Sequence, residues 1–148
     1  MRQRTGAPVV ALAGNPNVGK STVFNALTGS RQHTGNWSGK TVANAYGVMR
    51  CGDTGLTLVD LPGTYSLRAR SSEERVARDF LASGDADAAI LVADATCLER
   101  NLILVLQVLE VMPNAVLCLN LMDEARKKKI EIDLEKLSEL LQVPVVAA

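Results

Sequence analysis

The segment from Gly14 to Ser21 reads G-N-P-N-V-G-K-S and restricts the possible folds of this chain more than any other feature. It matches the pattern G-x-x-x-x-G-K-[ST], in which successive backbone N–H groups surround the phosphates of a nucleotide. An apolar run, Pro8–Ala13, precedes it, and an amphipathic stretch, Lys20–Leu27, follows it. This order of strand, loop and helix predicts a phosphate-binding loop rather than a chance glycine-rich turn.

The residue types within this phosphate loop suit the predicted chemistry. Gly14 and Gly19 allow the backbone to approach a ligand closely and to adopt unusual dihedral angles. Lys20 is expected to reach the β- and γ-phosphates, and the Ser21 hydroxyl is expected to hold Mg²⁺. The candidate nucleotide-binding residues of the loop and its flank are Asn15, Pro16, Asn17, Val18, Gly19, Lys20, Ser21 and Thr22.

Length and charge favour a single, soluble, cytosolic domain. The chain has 148 residues with 47% hydrophobic content, enough for one sizeable core. Its 16 basic and 16 acidic residues cancel, which gives no electrostatic argument for nucleic acid or an anionic membrane as partner. Cys51, Cys97 and Cys118 are widely spaced, which suggests neither a disulfide framework nor a metal site. We expect no leader and no membrane span.

Apolar runs and turn residues alternate along the chain, which favours an α/β fold: a mostly parallel central sheet flanked by helices on both faces. Right-handed crossovers would then place the loops that follow the strands on one edge. The predicted strands are Val9–Ala13, Ala45–Cys51, Leu56–Leu61, Ala88–Asp94, Ala115–Asn120 and Val143–Ala147. The predicted helices lie near Gly19–Thr28, Ser72–Ala82, Glu99–Val111, Glu124–Lys128 and Leu134–Leu141.

Two further motifs follow predicted strands. A D-x-x-G element beginning at Asp60 would supply a carboxylate near Mg²⁺ and the N–H of Gly63 toward the γ-phosphate, although alone it reads as a Pro-Gly turn. An N-x-x-D element joins Asn120 to Asp123, whose carboxylate can accept hydrogens from guanine N1–H and its amine. Asp123 could instead cap a helix. In this order the motifs favour guanine and disfavour an ATP-binding module.

The polar segment Ser30–Val42 has the length and composition of a functional or mobile loop. Thr41 adjoins the next predicted strand and is the preferred residue to close over Mg²⁺ and the γ-phosphate, with Thr34 as the competing candidate. Trp37 is expected to be a partly exposed element of this switch. His33 has no companion ligands and is expected to be a solvated loop residue.

Five motifs together resemble the cytosolic G domain of the FeoB family of bacterial ferrous iron transport proteins. They are G-N-P-N-V-G-K-S, N-W-S-G-K-T-V, D-L-P-G-T-Y-S-L, D-A-T-C-L-E-R-N-L and N-L-M-D. The resemblance implies a Ras-like P-loop GTPase that converts GTP to GDP and phosphate. It also implies a cytoplasmic domain attached to a membrane permease at the bacterial inner membrane. The implied site residues are Asn17, Lys20, Ser21, Thr41, Asp60, Gly63, Asn120 and Asp123, with catalytic roles for Lys20, Thr41, Gly63 and Asn17.

The chain departs from the family pattern at several positions. Leu121 stands where FeoB-like proteins often have Met and small GTPases have Lys, so its side chain can cover the base but cannot bond back to the phosphate loop. Ser38 and Ala43 replace Pro and Glu of the more common switch sequence. The chain stops at Ala148, so we expect 1–148 to be a G-domain fragment without the fifth nucleotide loop, helical domain and permease.

The chain lacks the Gln that orients the attacking water in many GTPases. Thr64 occupies the position where many GTPases place a water-positioning Gln, and no Arg can be assigned as a finger, so a slow intrinsic rate is expected. Asn17 offers a neutral oxygen that could hold K⁺ beside the phosphates; alternatively it only hydrogen-bonds within the loop or switch. The alternative function is a ribosome- or RNA-associated GTPase, which the neutral charge disfavours. Self-association through the switches is left open.

Overall fold

The computed structural model describes residues 6–29, 33–36 and 43–148. Its strands are β1 (Val9–Gly14), β2 (His33–Asn36), β3 (Ala43–Cys51), β4 (Thr54–Asp60), β5 (Ala88–Asp94), β6 (Ala115–Asn120) and β7 (Val145–Ala147). Its helices are α1 (Lys20–Thr28), α2 (Ser72–Ala82), α3 (Leu98–Val111), α4 (Met122–Lys127) and α5 (Leu134–Leu141), with a short 3-10 helix at Ala95–Cys97.

These strands form one sheet in the order β2-β3-β4-β1-β5-β6-β7. β1 lies at its centre and pairs in parallel with β4 and β5, while β5 pairs in parallel with β6 and β6 with β7. β3 runs antiparallel to both β4 and β2. The predicted class, a mostly parallel α/β sheet, is therefore confirmed.

The sequence predicts a loop throughout Ser30–Val42, and the structure corrects this prediction at four residues. Residues His33–Asn36 form the edge strand β2, paired in antiparallel register with Ala43–Tyr46 of β3. An edge strand pairs on one side only and need not alternate apolar and polar residues, so its short polar sequence gave no strand signal. Smaller differences concern ends: α4 begins at Met122 rather than Glu124, and β7 begins at Val145 rather than Val143.

Side chains of β1 alternate between two cores, one on each face of the sheet. Val9, Ala11 and Ala13 belong to a large core cluster with residues of α2 and α3. Val10 and Leu12 belong to a smaller cluster that includes Phe24 of α1. Because β1 is buried along its whole length, its end is a rigid base for the loop that follows.

The starts of α1 and α2 differ in a way that matters for ligands. At α2 the Ser71 side chain accepts a hydrogen bond from the Glu74 N–H at 3.1 Å, so the helix supplies its own cap. At α1 the capping residue is Gly19, which has no side chain, and the first turn contains no acidic residue. The N–H groups and the positive dipole end of α1 therefore face the phosphate loop without a side-chain acceptor of their own.

Within the described residues, no helix is both long and apolar enough to cross a bilayer.

Phe24 is expected to anchor α1 to the sheet, because its side chain is only 1% exposed in the smaller core. Phe24→Ala should lower the free energy of unfolding by about 3–5 kcal/mol through lost burial and the cavity left behind. Urea denaturation measures this difference. Leu140→Ala is the control, because Leu140 is 71% exposed and its truncation should change stability by less than about 0.5 kcal/mol. Equal losses for the two variants would contradict this account of the core.

Candidate nucleotide-binding site

Parallel pairing brings four loops to one edge of the sheet. The phosphate loop follows β1, the D-x-x-G element follows β4, the turn Ala95–Cys97 follows β5, and the N-x-x-D element follows β6. The carboxyl ends of neighbouring parallel strands lie side by side, which is where ligands bind in open α/β sheets. The predicted grouping of motifs is therefore confirmed for the residues that the structure describes.

A cavity of about 410 Å³ opens at the end of β1, against the start of α1. Val18 is buried beneath the loop, and Thr22 lies exposed on α1, so these two predicted residues do not line it. The lining residues are Asn15, Pro16, Asn17, Gly19, Lys20, Ser21 and Gly63.

Backbone conformation and close packing explain the glycines of the loop. Gly19 adopts φ +84°, and a Cβ added there would lie 2.1 Å from Asn120 Nδ2. A Cβ on Gly14 would lie 2.6 Å from the carbonyl oxygen of Val92 in β5. Asn17 also adopts a left-handed conformation, φ +64°, which Asn tolerates better than most residues. The loop can take this shape only with small or permissive residues at these positions.

Lys20 and Asp60 form an ion pair through Nζ and Oδ1. Both side chains are largely buried, and a buried charge that loses its partner is strongly destabilising. Each residue therefore serves as the counter-ion of the other. A phosphate would compete for Lys20 and a divalent cation would compete for Asp60, so a metal-bound nucleotide can replace both halves of the pair together.

The D-x-x-G element packs directly against the phosphate loop. The Leu61 N–H donates to the Leu12 carbonyl at 3.0 Å, and the Thr64 N–H donates to the Gly14 carbonyl at 3.1 Å. A Cβ on Gly63 would lie 3.1 Å from Pro16 Cα, so a glycine permits this approach. The backbone of Gly63 is thus held at the rim of the cavity.

The N-x-x-D element is tied to the phosphate loop by Asn120, whose Nδ2 donates to the Val18 carbonyl at 2.9 Å. The side chain of Asp123 is 88% exposed, and its one ion pair with a described residue is a long contact, 3.4 Å, with Arg126. The helix-capping alternative for Asp123 is wrong, because α4 is preceded by Leu121 at φ +62° and has no side-chain cap. The carboxylate of Asp123 therefore remains accessible to donors on a ligand.

The sequence motifs assign no individual role to Asn101. In the structure, its side chain supports the edge of the sheet where the four loops meet. Its side chain is 3% exposed; Oδ1 accepts the Asp94 N–H at 3.2 Å, and Nδ2 donates to the Cys97 carbonyl at 2.9 Å. These bonds fix the end of β5 to α3. The motif D-A-T-C-L-E-R-N-L therefore has a structural role, because its side chains hold the end of β5 against α3. In the sequence, the sign of this role is an Asp two residues before a Thr, which is a local capping pattern.

The side chain of Asp94 adds two hydrogen bonds at the end of β5. Oδ1 accepts hydrogen bonds from the Thr96 N–H at 2.8 Å and the Thr96 hydroxyl at 2.6 Å. Partial burial raises the pKa of Asp94, but the hydrogen bonds from Thr96 and Cys97 and the positive charge of Lys128 together outweigh it, and the net pKa lies below its ordinary value. The carboxylate therefore stays ionised at neutral pH.

Several predicted residues fall outside the structural description. Thr41, Trp37 and Ser38 lie outside the described residues, and Thr34 lies within β2. Among the described residues no group of three His, Cys, Asp or Glu side chains could hold a metal ion. The described oxygen ligands predicted for Mg²⁺ are those of Ser21 and Asp60.

A phosphate loop between β1 and α1, a D-x-x-G turn after β4 and an N-x-x-D turn after β6 define a Ras-like P-loop G domain. The model for the family described as ferrous iron transport protein B matches residues 8–148. The chain belongs to that family.

Individual relatives agree with this assignment. The chain is 50% identical over 141 residues to the Fe(2+) transporter FeoB of Salmonella typhimurium strain LT2, a match that covers 93% of the chain and 18% of that relative. An identical level and extent of similarity is found with FeoB of Escherichia coli K12. The chain therefore spans about a fifth of the length of these relatives.

Solved structures show the same fold. The G domain of T. maritima FeoB is 46% identical, with a TM-score of 0.87, and the match covers 97% of this chain and 87% of that one. The T. maritima FeoB cytosolic domain in a GDP form gives a TM-score of 0.88 at 46% identity, covering 99% and 57% of the two chains. The RNA-associated alternative is not favoured by these similarities.

Gly19→Ala should abolish nucleotide binding, because the new methyl group would collide with the Asn120 amide as well as adopt a left-handed backbone. Gly29→Ala is the matched control: Gly29 has φ +66°, but no atom of the described residues lies within 4 Å of a Cβ there. The control should lose about 1–2 kcal/mol of stability from backbone strain and keep its affinity for nucleotide. Calorimetric titration with GDP compares them, and unchanged affinity of Gly19→Ala would contradict the described packing.

Proposed function

We propose that this domain binds GTP and GDP at the carboxyl edge of its sheet and hydrolyses GTP to GDP and phosphate. The observation that carries the proposal is the placement of Asp123: its exposed carboxylate follows Asn120, which is hydrogen-bonded to the phosphate loop. One carboxylate offers two acceptor oxygens to the N1–H and amine of guanine, whereas adenine presents a different donor pattern. The relative from T. maritima described in a GDP form supports the same ligand class.

Different residues of the site would contact different phosphates of the nucleotide. The α1 N-terminus and Lys20 would hold the phosphate oxygens, and the N–H of Gly63 would face the γ-phosphate. The other proposed nucleotide contacts are Asn15, Pro16, Asn17, Val18, Gly19, Ser21, Thr22, Asp60, Asn120 and Asp123. Charge compensation of the γ-phosphate is the main electrostatic contribution expected of such a site.

The donor set suits Mg²⁺. Ser21 presents an exposed hydroxyl at the start of α1, and Asp60 presents a carboxylate beside Lys20. Hard oxygen ligands from one carboxylate, together with phosphate oxygens, are the usual protein environment of this ion. When bound, Mg²⁺ would neutralise charge that develops on the phosphates. Thr41 is proposed as the switch residue that completes this set; it lies outside the described residues.

We also propose that K⁺ stimulates the reaction through Asn17. Asn17 is exposed and lines the cavity, so its carboxamide oxygen is available to a cation beside the phosphates. The position that often holds a catalytic Gln is Thr64, which is buried, so its short side chain cannot orient a water in the same way. A cation would place positive charge where other GTPases use arginine.

In the full-length protein the domain would act as the cytosolic switch of a ferrous iron permease at the bacterial inner membrane. Support comes from the family assignment and from the relatives, which are named Fe(2+) transporters and are much longer than this chain. The partners proposed are therefore guanine nucleotide and the permease region, not nucleic acid. The net charge of zero is consistent with that choice.

Asp123→Asn tests the base assignment. Replacing one acceptor oxygen with a donor should weaken GTP binding by roughly 1–3 kcal/mol and shift preference toward xanthine nucleotides. Competition binding with GTP, XTP and ATP measures the change. Glu124→Gln is the matched control, because it removes the same charge from the same helical turn without touching the predicted base contact. Equal affinity of the native chain for ATP and GTP would refute guanine recognition.

Turnover at saturating GTP should rise at least about tenfold when K⁺ replaces Na⁺, given the size of comparable electrostatic contributions. Asn17→Gly should remove that difference while leaving GDP affinity within about twofold. Glycine is chosen because it accepts φ +64° without strain, whereas Ala would add a backbone penalty of its own. Identical native rates in the two salts would rule out the cation. A K⁺ effect retained in Asn17→Gly would assign it to other oxygens.

A further inference from the structure

Asn15 carries a buried polar atom that forms no hydrogen bond with the described part of the site. Its side chain is 4% exposed, and its Oδ1 accepts no hydrogen bond from any described residue. In the part of the chain that the structure describes, it is the one buried side-chain oxygen or nitrogen in this condition. Folded proteins rarely leave such a group unpaired, and each case calls for a functional explanation.

Asn15 and the segment that follows Gly63 are related through the cavity and through the core. Asn15 lines the nucleotide cavity together with Lys20 and Gly63. It comes two residues after Ala13, which packs into the core cluster shared with α2 and α3. Leu67, at the far end of the segment that follows Gly63, packs against the same cluster. The segment from Gly63 to Leu67 therefore runs from the rim of the cavity that Asn15 lines to the core cluster that contains Ala13.

Hydrogen bonds anchor both ends of that segment but leave its middle open. At one end the Thr64 N–H donates to the Gly14 carbonyl at 3.1 Å, and at the other the Leu67 N–H donates to Gln107 Oε1 at 2.6 Å. Between them, neither the Tyr65 N–H nor the Ser66 N–H donates to a described residue. The two open donors thus belong to the residues directly after Thr64, whose own N–H is bonded to Gly14, the residue before Asn15.

We propose that Asn15 is a positioning residue that fixes this segment when the third phosphate is present; the inference rests on the GTP-binding function proposed above. Attraction of the Gly63 N–H to the γ-phosphate would draw the segment toward the phosphate loop. The N–H of Tyr65 or Ser66 then donates to Asn15 Oδ1. With GDP nothing draws the segment inward, so the oxygen stays unpaired. Asn15 thereby contributes to the preference for triphosphate over diphosphate through the position of this segment.

Asn15→Leu tests this role, because leucine has similar volume and no acceptor. Affinity for the imido analogue of GTP should fall roughly three- to tenfold more than affinity for GDP, as expected for one hydrogen bond that forms only with the triphosphate. Hydrogen exchange at the Tyr65 and Ser66 amides should slow in the native protein with the analogue but not with GDP. In Asn15→Leu that slowing should be absent. Asn15→Ala provides the same comparison if the leucine variant does not fold.

Asn101→Leu is the matched control, since Asn101 is equally buried but fully hydrogen-bonded. It should lower stability and weaken both nucleotides by similar factors. Equal losses for GDP and the analogue in Asn15→Leu would overturn the inference and assign Asn15 a structural role. The inference would also be overturned if Asn15→Leu lost affinity for the GTP analogue while hydrogen exchange at the Tyr65 and Ser66 amides stayed as slow as in the native protein. The hydrogen-bond donor to Asn15 Oδ1 would then be water or another segment. A native chain that binds neither nucleotide would instead refute the proposed function.

Discussion

The parallel pairing of β1 with β4 on one side and β5 on the other is the constraint on which the site depends. It places three strand ends at the same edge of the sheet, so the loops that follow them lie side by side. β1 is buried throughout, which gives the phosphate loop a firmly packed base. The phosphate loop begins there, and the other loops are positioned relative to it. Chemistry that needs several separate chain segments is thereby placed on a rigid framework.

Single side chains then link neighbouring loops. Asn120 joins the N-x-x-D turn to the phosphate loop, Lys20 joins that loop to Asp60, and Asn101 joins the end of β5 to α3. The first two links join residues 102 and 40 apart in sequence, the third joins residues 7 apart, and all three are partly buried polar contacts. Such contacts cost little while satisfied and much when broken, so they favour one arrangement of the loops over many similar ones.

Sequence predicted the interior of the fold better than its edge and its long-range contacts. β5, β6, α2 and α5 have the predicted bounds, because apolar runs and clear stop signals delimit them. β2 was missed because a polar edge strand has no periodic pattern. The motif positions in the site could be predicted from spacing, but the bond from Asn120 to Val18 joins residues 102 apart. The unpaired oxygen of Asn15 likewise follows from packing that no local pattern encodes.

The Lys20–Asp60 pair has a consequence for the order of ligand exchange. If Mg²⁺ binds as proposed, its departure would free Asp60 to pair with Lys20, and the hold of Lys20 on the phosphates would weaken. The two opposite charges neutralise each other where both side chains are largely buried. Under the proposed function, loss of the cation and loss of the nucleotide would therefore be coupled through one ion pair.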